Sequence, residues 1–129
     1  MASRAFQSPG LTLTLEEKAE ETIVHCVGRI TAESAEAFQR DIRDYVIPAS
    51  RGRGMAVTNR IVLDLSKVTF VDSTGLGAIF GLWTTAQSRA CDLEIVNLNP
   101  RVQELMSLTK LDQVFTRMKG MFSRSDEQK

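Results

Sequence analysis

Long apolar runs are missing from this chain. No stretch of about 18 apolar residues exists to cross a bilayer, and the opening segment MASRAFQSPG lacks the apolar core of a secretory signal. A cytoplasmic protein without a membrane partner is the expectation. Net charge is missing as well: 16 basic side chains balance 16 acidic ones, so no general field draws the molecule to nucleic acid, and none is expected as a partner. Histidine and cysteine are scarce. His25 stands alone, and Cys26 and Cys91 fall in a strand pattern and at the end of a helical pattern, with neither metal nor disulfide spacing. They read as buried thiols of a reducing compartment, and no metal site is expected.

The common catalytic patterns are absent too. A nucleophile elbow needs glycine two positions before its serine, where Val71 stands ahead of Ser73. A phosphate-cradling G-x-x-x-x-G-K-S/T loop does not occur, and Gly75-Leu76-Gly77 lacks the third glycine of a dinucleotide fingerprint. Asp-Ser-Thr-Gly differs from the Asp-Thr/Ser-Gly of aspartic proteases by a glycine that comes one residue late, without a second copy. No catalytic residue, no cofactor and no enzymatic activity are expected.

What the chain does contain is one domain's worth of alternating strand and helix patterns, its 129 residues sufficing for a single core. Leu11, Leu13 and Leu15 alternate with Thr12 and Thr14, and a polar link leads to a second strand over residues 22–27; the two should pair antiparallel. From Thr31 as N-cap, Ala35, Phe38, Ile42 and Tyr45 recur at helical spacing, so the first helix should bury that stripe and end at Pro48. Residues 48–60 (PASRGRGMAVTNR) combine Pro, Gly, Ser and Asn with Arg51, Arg53 and Arg60 and no acid, which reads as a solvated basic loop or, less simply, as a contact site. Residues 93–96 give a further strand, Asn99-Pro100 opens a helix through Val102, Leu105 and Met106, and residues 111–118 suit an edge strand. Two β-α-β units behind a hairpin imply an α/β layer structure.

Between them lies the most informative stretch, residues 61–83, IVLDLSKVTFVDSTGLGAIFGLW. Ile61, Val62, Leu63 and Leu65 read as a strand covered on both faces. Asp72, Ser73 and Thr74 are helix-capping types, and Leu76, Ile79, Phe80 and Trp83 follow at helical spacing. The hydroxyls of Ser73 and Thr74 thus sit at a helix N-terminus, where unpaired N–H groups and the helix dipole favour a phosphate or carboxylate.

This segment resembles the signature of the STAS domain, and within it that of bacterial anti-sigma-factor antagonists: an apolar-apolar-Leu-Asp-Leu strand followed by an Asp-Ser-Thr/Ser-Gly-Leu-Gly turn. Residues 27–30 (VGRI) and 102–115 are similar to neighbouring family elements, and the resemblance spans most of residues 11–118. It implies an α/β, STAS-like single domain with a mixed sheet of four to five strands and helices packed mainly on one face. Residues 1–10 and 119–129 would be flexible ends, with residues 48–60 a basic insert in the domain. The resemblance further implies that Ser73 is phosphorylated by an anti-sigma-factor serine kinase and reset by a cognate serine phosphatase, with Asp72, Ser73, Thr74, Gly75, Leu76 and Gly77 forming the partner-binding turn. Unphosphorylated, such a protein binds the anti-sigma factor and so regulates sigma-dependent transcription. The alternative is a constitutive STAS scaffold or accessory subunit of a transport or stress-signalling assembly.

On the residues alone, Ser73 is either a helix cap or an exposed phosphoacceptor, and one hydroxyl can cap while its neighbour stays free. Gly75, Gly77 and Gly81 require a reason, because glycine in a helix costs about 1 kcal/mol relative to alanine: close approach to the sheet, or to a docked partner. Trp83 reads as a core or half-buried residue, and His25 as a satisfied strand residue.

Overall fold

The leucine–threonine alternation becomes strand β2 (Leu11–Glu17), with Leu11, Leu13 and Leu15 buried and the threonines between them only partly so. This computed structural model describes residues 4–19, 21–48 and 59–108. β2 pairs antiparallel with β3 (Thr22–Ile30), Leu13 opposite Cys26 and Leu15 opposite Val24, so that the apolar sets of both strands share a face. A shorter strand, β1 (Ala5–Ser8), pairs antiparallel with the outer side of β2, Phe6 opposite Leu13. Sequence reading assigned residues 1–10 to a flexible terminus. The correction has a simple cause: AFQS is too short and too mixed to show alternation, and its order comes from the ladder it adds to β2.

Strand β4 (Asn59–Val71) runs through the middle, parallel to β3 on one side and to β5 (Cys91–Val96) on the other, giving the order β1-β2-β3-β4-β5. Ile61, Val62 and Leu63 are all buried, as the unbroken apolar run requires of a central parallel strand. Helix α1 (Ala35–Asp41) continues directly into a π-helical stretch, Ile42–Val46. The chain then reaches α2 (Ser73–Ser88), β5 and α3 (Pro100–Leu108). Phe38 and Ile42 from α1 and its extension, and Leu76, Ile79 and Leu82 from α2, close over the sheet to make one core with Val24, Leu63 and Ile95.

Three local assignments differ from the sequence pattern. Helix α1 begins at Ala35 with Ser34 as N-cap, not Thr31, because the Thr31 carbonyl is taken up by a preceding turn that receives the N–H of Ser34 and of Ala35. Tyr45 lies outside the buried stripe, 49% exposed and stacked on Phe6 at 5.8 Å, since the wider π-helical turn moves Val46 and Ile47 into the positions facing the core. Cys91 starts β5 rather than ending a helix: Ala90 takes a left-handed φ of 55° and turns the chain straight from α2 into the strand. Both cysteines are buried free thiols, and burial pushes the Cys26 thiol far up, so it stays protonated. The expected elements at residues 49–58, 111–118 and 119–129 lie outside the described residues.

The other face of the sheet carries charge in matched groups. Arg60, read from sequence as part of a free basic loop, is in β4 and pairs with Glu21 at 3.3 Å, Asp92 at 2.8 Å and the buried Glu94. That guanidinium offsets much of the cost of holding the Glu94 carboxylate away from water. Further along, the ring nitrogens of His25 meet Glu16 at 2.8 Å and Asp64 at 3.2 Å. Burial works to raise the Asp64 carboxyl; the N–H of Ser66 at 3.0 Å, the Asn97 amide at 3.2 Å and His25 overcome it and hold the group below its ordinary 3.8. The His25 contact, helped by Lys18, holds Glu16 below its ordinary 4.5.

α2 meets the sheet at one glycine. A Cβ on Gly75 would lie 2.0 Å from the Ile30 carbonyl oxygen and 3.0 Å from Val71 Cγ1, whereas a Cβ on Gly77 would meet nothing within 4 Å among the described residues. Gly75→Ala should therefore destabilise by about 2 to 3 kcal/mol through overpacking against backbone, and Gly77→Ala should stabilise by up to about 1 kcal/mol through helix propensity. Urea denaturation of the two variants checks the opposite signs. The depressed carboxyls make a second prediction. A group whose folded-state value lies below its unfolded one stabilises fully above the unfolded value and loses that contribution as pH falls through the folded one. The melting-temperature gap between native protein and Asp64→Asn should thus be widest near neutral pH and shrink as the pH is lowered below 3.8. A gap that stays constant across that acid range would contradict it.

Candidate functional site

β4 ends by sending Val71 into the core, and the chain leaves the sheet at Asp72, whose extended backbone (φ −91°, ψ −178°) makes it the N-cap of α2. Its N–H donates to the Ile30 carbonyl at 3.2 Å. The carboxylate divides its work: Oδ1 accepts the Gly75 N–H at 2.7 Å and Oδ2 accepts the Ala32 N–H at 3.0 Å. One side chain therefore caps α2 and ties it to the β3–α1 loop. That loop is itself held by the buried Ser34, whose Oγ accepts from the Thr31 N–H at 3.1 Å and donates to the Arg29 carbonyl at 3.0 Å.

Because Asp72 caps the helix, the hydroxyl that follows is released from that task. Ser73 occupies the first helical position, and both it and Thr74 are exposed. Neither their hydroxyls nor their backbone N–H groups have a hydrogen-bond partner among the described residues. Free donors at a helix N-terminus, with the positive end of the macrodipole behind them, favour a negative group placed there.

The six residues singled out from sequence thus separate into two kinds. Asp72, Ser73, Thr74 and Gly77 reach the surface. Gly75 and Leu76 do not: Gly75 is pressed on the Ile30 carbonyl and Leu76 is a core side chain, 1% exposed, so both support the turn from beneath and are corrected from contact to scaffold. The three glycines also divide. Gly75 answers to the sheet, and Gly81 to the Gln39 amide of α1, which donates to the Ala78 carbonyl at 3.0 Å. Gly77 answers to nothing among the described residues. With exposed Ser73 and Thr84 and half-buried Phe80 it lines one side of α2, while Trp83 is half-buried against the core.

Sequence reading missed the β3–α1 loop. Ala32 and Glu33 are exposed beside the Asp72 turn, brought there by the Asp72–Ala32 hydrogen bond. A contact across 40 positions leaves no periodic trace; the only local signal was a run of small and capping types at Thr31, Ala32 and Ser34. Among the described residues no group of three or more His, Cys, Asp or Glu could hold a metal, and no helix is long and apolar enough to cross a membrane.

Comparison with known proteins places this geometry. A putative anti-sigma factor antagonist of Thermotoga maritima, TM1081, superposes with a TM-score of 0.59 at 23% identity, covering 78% of this chain and 80% of that one. The Bacillus cell fate determinant SpoIIAA in its phosphorylated form matches at 0.50 and 20% identity, over 78% and 86% of the two chains. The murine anion transporter Slc26a9 matches at 0.56 and 27% identity over 71% of this chain, but only 14% of its own length. At such identities the two bacterial likenesses speak for the fold. The STAS domain family model matches residues 12–127, nearly the whole sequence including the Ser73 turn, and the chain belongs to the STAS domain family.

Proposed function

We propose that this STAS domain is an anti-sigma-factor antagonist whose binding is controlled by phosphorylation of Ser73. The observation that carries the reading is the division of labour at the turn: Asp72 caps α2, leaving the Ser73 hydroxyl exposed and unengaged among the described residues. The likeness to antagonists such as TM1081 and SpoIIAA, the latter with a phosphorylated form, supports it.

In this reading the unphosphorylated protein docks the Ser73 turn, the Gly77 side of α2 and the neighbouring loop on an anti-sigma serine kinase, which lets go of its sigma factor. Gly77 has its reason here, since a missing side chain lets a partner's surface approach the helix closely. Phosphorylation adds a charge of about −1.5 to −2 and three acceptor oxygens. The helix N-terminus accommodates that charge inside the protein, while a docked surface meets added bulk, a dianion beside Asp72 and the desolvation of both. A cognate serine phosphatase resets the state. The protein acts as substrate and binder in the cytoplasm, regulating transcription, and not as an enzyme. The resemblance to the Slc26a9 segment favours a second reading, a STAS accessory of a transport assembly, in which Ser73 is never modified. Neighbouring genes separate the two: kinase and sigma-factor genes against a transporter gene.

Incubation with the cognate kinase, recovered by pull-down from the native organism, and ATP should place one phosphate on Ser73 by mass spectrometry and none on Ser73→Ala. Ser73→Asp should bind the kinase a few hundredfold more weakly, which is about 3 to 4 kcal/mol, with a melting temperature equal to or slightly above that of the native protein. Gly77→Ala should fold more stably yet bind less well. Undiminished binding by Ser73→Asp sinks the proposal.

A further inference from the structure

Beside the Ser73 turn, on the sheet face opposite the core, two apolar side chains stand in the open. Val27 of β3 is 44% exposed and Phe70 of β4 is 46% exposed. The third large exposed hydrophobic, Tyr45, has the Phe6 ring against it; Phe70 has no ring partner among the described residues. Strand register places a cation opposite each. Val27 pairs with Lys67 and Arg29 with Phe70, and all four are exposed while the flanking Val68, Ile30 and Val71 are buried in the core, so the four share the outer face. Neither Arg29 nor Lys67 makes an ion pair among the described residues, in contrast to Arg60, Arg43 and His25.

We propose that this patch is a second contact for the partner that docks at the Ser73 turn, and that it accepts an acidic segment of that protein carrying one apolar side chain. The proposal rests on the reading of the chain as an anti-sigma-factor antagonist. Size sets the occupant. Adjacent strands lie about 4.8 Å apart; Val27 and Arg29 are two positions apart on β3, Lys67 and Phe70 are three apart on β4 across a register shift, and the Arg29 guanidinium leans toward Gly10, so the patch is small and holds one apolar side chain beside two cations. Such a contact is far below the roughly 1,000 Å² that a stable interface needs, and must therefore extend a larger one. The Ser73 turn is the neighbour available: Arg29 precedes Ile30, whose carbonyl receives the Asp72 N–H, and Phe70 lies two positions before Asp72. Charge sets the chemistry. Two unpaired cations attract carboxylates, but they are too few for a nucleic acid, whose affinity grows with each phosphate neutralised, and the chain's net charge of zero adds nothing.

Calorimetric titration of the cognate anti-sigma kinase, at low and high salt, tests this with native protein, Arg29→Glu/Lys67→Glu, Phe70→Ser and Ser73→Asp. All the patch residues are exposed, and unchanged melting temperatures would show that the variants fold. The charge-reversed variant should bind about tenfold more weakly at low salt and lose most of its salt dependence, and Phe70→Ser should also lose about tenfold. For phosphorylation of Ser73, both should raise KM and leave kcat unchanged. If native protein binds, Ser73→Asp releases the kinase and the patch variants stay within about twofold of native, the patch proposal alone is overturned. If those variants keep kinase affinity but lose sedimentation with phosphatidylglycerol vesicles, the patch is a lipid contact and the proposal is again overturned. Native protein that binds no kinase removes the antagonist reading and the patch proposal together.

Discussion

The carboxylate of Asp72 holds the working end of this molecule together. It bonds the Gly75 N–H on one side and the Ala32 N–H on the other, so the start of α2, the end of β4 and the β3–α1 loop form one unit. The join is possible only because α2 comes down on the Ile30 carbonyl at a residue without a side chain. Once a carboxylate has taken the capping duty, the adjacent hydroxyl is left over, and a left-over hydroxyl at the mouth of a helix is open to chemistry. The same few contacts therefore fix the fold locally and free Ser73.

The two faces of the sheet divide the remaining tasks. The helix-covered face carries the apolar core, and it tolerates no unpaired polar group: among the described residues no buried side-chain nitrogen or oxygen lacks a partner. The opposite face is where charge is organised. Arg60 of β4 gathers Asp92 and Glu94 of β5 and Glu21 just ahead of β3, and His25 bridges Glu16 and Asp64. Against that background of paired charges, Arg29 and Lys67, at the end of the face that adjoins the Ser73 turn, have no ion pair among the described residues.

How much of this could be read in the chain follows from the range of the interactions. The alternation at Leu11, Leu13 and Leu15, the continuous run at Ile61, Val62 and Leu63 and the Asp-Ser-Thr-Gly punctuation are local, and each produced the element it announced. The mixed sheet and its helices were legible through them. β1 was not, because four mixed residues become a strand only when β2 offers its edge. Tyr45 misled for a related reason: helical spacing assumes one pitch, and the π-helical turn changes it. At the site, the identity of the exposed residues was legible but their division was not. Gly75 and Gly77 look alike in sequence, and only the distance to Ile30 tells the one that packs from the one that is left open. The loop at Ala32 and the pairing of Arg60 depend on partners more than 30 positions away and had no signature to find.

Magnitudes explain why this position suits a reversible signal better than others on the surface. Placing an anionic group at a helix N-terminus is worth roughly 0.3 to 1 kcal/mol in favour of the folded chain, so a phosphate on Ser73 would not unfold it. The same group inside a protein interface loses its water and faces Asp72, and leaving a charge buried without a partner costs about 2 to 5 kcal/mol. The two effects act in opposite directions and on different equilibria, folding and association. At a helix C-terminus the first would change sign, and modification would weaken the fold as well as the contact. At the N-terminal end of a helix that already has another cap, one added group can change what the molecule binds while the molecule itself stays as it was.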